Sequence, residues 1–98
     1  MTTTLIKLRS KSPDSLKQII TSALAERLQS IEGGIKQTES RIKEFELQYK
    51  LSTGEFIKRF NNDELEHNFD FDEWIGETRM LEHLKEKKAT IEGVEFVN

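Results

Sequence analysis

The chain has 98 residues, 35% of them hydrophobic and 34% charged, with a net charge of −3 and no cysteine. That length suits one domain with a thin core, and the missing cysteine excludes disulfide staples and thiolate zinc sites. Met1 to Arg9 lacks the apolar core of a secretory leader, and no run approaches the roughly 20 apolar residues of a membrane span, so the expected setting is the cytoplasm.

Residues 1–11 form the first unit, an arm. Thr3 to Ser10 (TTLIKLRS) alternates apolar and polar side chains and is rich in Thr and Ile, which predicts a short strand. One strand is not stable alone in water, so it needs an edge to join.

Ser12-Pro13 is a helix start, with Ser as cap, Pro at the first helical position and Asp14 in the first turn. Apolar positions then follow at Leu16, Ile20, Leu24, Leu28, Ile31, Ile35, Thr38, Ile42, Phe45 and Tyr49, with alternating steps of three and four from Leu28. That spacing is a heptad seam, made to lie against another helix, and predicts a helix over 13–50. Gly33-Gly34 interrupts it at a cost of about 2 kcal/mol relative to alanine. The seam keeps its phase across the pair, so one helix is expected, bent or straight.

Ser52 with Glu55 three residues later is a capping box and opens a short helix over 53–61, stopped by Asn61-Asn62. Asp70 with Glu73 repeats the signal, and a last helix is expected over 71–92, with Gly93 as its stop. The tail, 93–98, contains a second candidate strand, Val94 to Val97. The expected fold is all-α: a long N-terminal helix packed against a short helix and a C-terminal helix as a helical hairpin, with a short N-terminal strand.

Such a first helix is about 55 Å long, and the last helix is too short to cover its seam. Leu16, Ile20, Leu24 and Leu28 are therefore expected to lie bare and to serve a partner or a second copy. Charge is also divided. Residues 1–59 hold eleven Lys/Arg against seven Asp/Glu, a balance of +4, whereas residues 60–98 hold four against eleven, a balance of −7. Between Asn61 and Thr78 there are seven acids and no Lys or Arg, which favours a basic partner. In the same stretch Phe69 and Phe71 alternate with Asp70, Asp72 and Glu73, an arrangement of aromatic anchors framed by charge that suits an interface as well as a core. Phe45, Phe56, Phe60 and Trp74 are expected instead to form the corner where three helices meet.

No enzyme chemistry is expected. His67 and His83 have no second histidine at helical spacing, the acidic run lacks the spacing and glycine of a calcium loop, and Gly33-Gly34 lacks the setting of a phosphate loop. No catalytic residue, metal or cofactor is assigned. Lys7 and Arg9 on the arm are the candidate DNA contacts, but the basic excess is small for a phosphate footprint.

Phe45-Glu46 with Tyr49, Ser52 with Glu55-Phe56, Asp63-Glu64-Leu65 and Phe71-Asp72-Glu73-Trp74 make up a pattern within Lys43 to Gly76. It resembles small helical antitoxin-like proteins of prokaryotic toxin–antitoxin pairs, which are often encoded beside a small ribonuclease-like toxin. The resemblance covers about a third of the chain. It implies a non-enzymatic protein that neutralises a cognate, basic toxin by direct contact. A homo-oligomeric coiled-coil adaptor and a DNA-binding autoregulator are the alternatives.

Overall fold

Proline's fixed φ and missing amide suit a first helical turn, and Pro13 opens the first helix of the computed structural model, in which residues 5–97 are described. This helix, α1, spans Pro13–Tyr49 without a break; α2 spans Thr53–Asn61 and α3 spans Phe69–Glu92. Ser12 holds the cap position but makes no side-chain cap bond; its amide donates to Ser10 Oγ at 3.0 Å.

The glycine pair does not break α1, because the seam on both sides is engaged by α3: Ile31 and Thr38 are buried. Gly34 is also where α3 comes close, since a Cβ there would sit 3.3 Å from Leu84 Cδ1, whereas a Cβ on Gly33 would meet open space. Tertiary packing thus offsets the local helix cost. Lys50, in the left-handed region at φ 52°, ends α1, and the Leu51 amide returns to the Glu46 carbonyl at 3.2 Å.

Ser52 caps α2 by accepting from the Glu55 amide at 3.2 Å. Glu55 does not return the bond as a capping box requires; its carboxylate pairs with Arg59 at 3.0 Å. At the other end Asp63 takes a left-handed φ of 58°, the Glu64 amide reaches the Arg59 carbonyl at 2.9 Å, and the Asp63 amide reaches Phe60 at 3.1 Å. These are the paired bonds that close a helix end on a left-handed residue.

The expected start of α3 needs correction. Asn68, in extended backbone, accepts from the Phe71 amide through Oδ1 at 2.7 Å, so α3 begins two residues before Phe71. An Asn cap serves as well as Asp, and it leaves Asp70 free to bond elsewhere. Gly93 stops α3 at φ −85° without entering the left-handed region.

α3 folds back antiparallel along α1. Contacts between Tyr49 and Asp70, Phe45 and Trp74, Gly34 and Leu84, Glu32 and Lys88, and Lys17 and Phe96 step along the two helices in opposite directions. The hairpin measures 59 × 28 × 17 Å with a radius of gyration of 19.2 Å, against about 13 Å for a compact chain of this size. Its core lies at one end, where Ile42, Phe45, Phe56 and Trp74 are buried with Tyr49, Phe60, Phe71 and Leu81 packed around them.

Two expectations fail. Among the described residues there is no strand: Leu5 to Ser10 and Val94 to Val97 have no regular structure, consistent with the absence of an edge for either to join. Met1 to Thr4 of the expected strand lie outside the described residues. Leu16, Ile20, Leu24 and Leu28 are half-buried rather than bare, and beyond the end of α3 the tail brings Phe96 under Lys17.

Candidate partner-binding surface

The corner of the hairpin builds a rigid platform. Phe56 stacks on Trp74 with centroids 3.9 Å apart and planes 4° from parallel, and Phe45 stacks at 5.7 Å on the same indole. Trp74 Nε1 donates to Thr53 Oγ1 at 3.0 Å; Thr53 donates through its hydroxyl and amide to one oxygen of Glu46, at 3.0 and 2.8 Å. A single chain of hydrogen bonds therefore links α3, α2 and α1 beside the stacked rings. No buried side-chain polar atom among the described residues lacks a partner, as a buried network requires.

The first turn of α3 is fastened to α1 by two further contacts. Asp70 accepts from the Tyr49 hydroxyl and, at 3.4 Å, from Gln48 Nε2. Glu73 receives a forked pair of bonds from Arg41, both 3.0 Å, while Arg41 also reaches Glu44 at 2.7 Å and lies over the Phe45 ring at 4.3 Å. The hydrogen bond from Arg41 holds the Glu73 carboxyl below the usual glutamate value, and the hydrogen bond to Asp70 holds the Tyr49 phenol above its own. Asp70 and Asp72 also complement the positive end of the helix dipole, so part of the acidity here serves the helix itself.

This fastening separates the two phenylalanines. Phe71 turns inward, 5.0 Å from the Tyr49 ring and 5.3 Å from Phe56, and belongs to the core cluster. Phe69, in the same turn, is 93% exposed. Asp72, Glu64 and Glu66 are exposed around it in sequence. Phe69 is thus a large apolar ring held in water on a turn anchored to the core.

The other residues singled out in the sequence lie apart from this end. Leu16, Ile20, Leu24 and Leu28 run along the far half of α1. Lys7 and Arg9 sit on the exposed arm, which has no strand among its described residues. Sequence reasoning missed the Glu46–Thr53–Trp74 network, since neither Glu46 nor Thr53 stands at a capping or seam position. It also missed Leu47 and Ile19, apolar side chains left exposed on α1; both fall off the seam.

His67 approaches Asp63 at 4.0 Å and lies edge-on to Phe60 at 5.0 Å, both at the surface. Among the described residues no three His, Asp or Glu side chains converge as a metal-binding group, and no helix is long and apolar enough to cross a membrane. The best-formed depressions are open, one along Asp14 to Ala25 of α1 and one beside Arg41 and Glu73, and neither includes Phe69. No protein-family profile, curated protein or solved structure matches the chain.

Proposed function

We propose that this chain is a non-enzymatic binding protein of the antitoxin kind, which neutralises a basic toxin by docking the acidic, aromatic end of its hairpin onto it. The observation that carries this reading is Phe69, almost fully exposed on the anchored first turn of α3. An unpaired phenylalanine in a rigid setting carries little ordering cost on binding. The cation-free stretch from Asn61 to Thr78 supplies a field that steers a basic partner to it. The resemblance over Lys43 to Gly76 supports the same reading independently, because its motifs build this end of the molecule.

Co-expression with a candidate toxin, a small basic protein of the kind the resemblance implies, tests the proposal. The natural chain is expected to restore growth, and Phe69→Ala combined with Asp72→Lys is expected to lose that rescue while keeping its circular dichroism. Full rescue by this double variant places the interface elsewhere. Phe71 is unsuitable for the test, because its loss weakens the core.

A further inference from the structure

The two ends of the hairpin are chemically complementary, and one chain does not bring its own ends together. Lys7, Arg9 and Lys11 stand on an arm whose apolar residues Leu5, Ile6 and Leu8 are all exposed, Ile6 at 86%. None of the ion pairs among the described residues includes these three cations. Among the described residues none of the backbone hydrogen bonds outside the helices involves Leu5 to Lys11. Among the described residues the arm is thus a short basic and apolar segment whose cations have no ion-pair partner and whose peptide groups have no backbone partner.

At the opposite end lie the acids between Asn61 and Thr78 and the exposed Phe69 ring. The arm does not reach them. Fully extended, the eight residues before Pro13 that are described span roughly 27 Å, whereas α1 alone separates the ends by about 55 Å. The acids at the arm's own end, Asp14, Glu92 and Glu95, are outnumbered there by Lys7, Arg9, Lys11 and Lys17.

We propose that two copies of the chain pair side by side and antiparallel, each laying its arm across the acidic end of the other. In that arrangement the complement missing from one chain is supplied twice by a second copy. The contact closes on a two-fold axis instead of growing as a chain of molecules, and the second arm docks intramolecularly once the first is placed. The apolar arm residues cover Phe69, and the three arm cations face Glu64, Glu66 and Asp72. The consequence for function rests on the reading above, although the pairing itself does not: the arm occupies the surface assigned to the toxin, so toxin and second copy exclude one another.

Sedimentation of the purified chain, with no other protein present, separates this pairing from the toxin reading. At about 0.05 M salt a dimer is expected, and at about 0.5 M salt, where screening shortens to a few ångströms, a monomer. Lys7→Glu, Arg9→Glu and Lys11→Glu together are expected to give a monomer at both, with the fold unchanged because the arm adds nothing to the core. Glu64→Lys, Glu66→Lys and Asp72→Lys together are expected to do the same, and mixing the two variants is expected to restore a dimer. A natural chain that is monomeric at low salt overturns the proposal. So does a dimer that survives high salt or the arm reversal, which points to the α1 stripe. Oligomers that keep growing with concentration overturn the two-fold arrangement.

Discussion

The two halves of the hairpin carry the same seam and use it differently. From Ile31 to Tyr49 the seam meets α3 and the cap of α2, and Ile31, Thr38, Ile42 and Phe45 are buried. From Leu16 to Leu28 it meets only the end of α3 and an irregular tail, and every one of its leucines and isoleucines stays half-buried. Periodicity therefore declares which face of a helix is apolar, while burial is decided by how much partner the rest of the chain supplies. The corner supplies aromatic rings and a hydrogen-bond chain; the far half supplies the end of α3 and a short tail.

The largest expected difference between the halves is in stability. Trp74→Ala removes the ring on which Phe45 and Phe56 stack and is expected to cost about 3–5 kcal/mol, enough to unfold a chain of ordinary stability. Leu16→Ala, on the half-buried stripe, is expected to cost about 1 kcal/mol. Urea unfolding followed by circular dichroism measures both; equal costs would erase the distinction.

Thr53→Val sharpens the account of the corner. It preserves shape but leaves Trp74 Nε1 without its acceptor and Glu46 without one donor, and a cost of about 1–3 kcal/mol is expected. The single tryptophan makes its fluorescence a direct report on this change. At the junction of the halves the two glycines are expected to part company. Gly33→Ala fills open space and raises stability by about 1 kcal/mol, whereas Gly34→Ala presses on Leu84 and gains less. Equal gains in melting temperature would contradict the close approach at Gly34.

The smallest effects are those of pH, and they belong to the acidic end. Glu73 has its folded pKa lowered, so its contribution is present above the unfolded value and is lost as pH falls through the folded one. Tyr49 has its folded pKa raised, so its contribution is complete below the unfolded value and is lost as pH rises through the folded one. Glu73→Gln is expected to flatten the acid limb of melting temperature against pH, and Tyr49→Phe the alkaline limb. With one tyrosine in the chain, phenolate absorbance reads Tyr49 alone; titration at the ordinary tyrosine value would remove the bond to Asp70.

Much of the architecture was legible in the residues. The unbroken α1 followed from a seam that keeps phase through Gly33-Gly34, and α2 followed from Ser52. The aromatic corner followed from apolar spacing on three helices. What was not legible depends on contacts distant in sequence. Asn68 displaced Asp70 as the cap because Asp70 is claimed by Tyr49, 21 residues away. The alternation of Leu5 to Arg9 has the period of a strand, but no sheet exists to receive it. Phe69 and Phe71 look equivalent in sequence, and only the 100° turn per helical residue sends one to the core and the other to water.

Docking of a basic toxin at that turn is proposed, and calorimetric titration of the purified chain with a candidate toxin tests it most directly. Phe69→Ala is expected to weaken the complex by about 30-fold, the loss of one interface anchor worth about 2 kcal/mol, with the melting temperature unchanged. An affinity identical to that of the natural chain would contradict the assignment of Phe69 and its acidic surroundings as the docking surface.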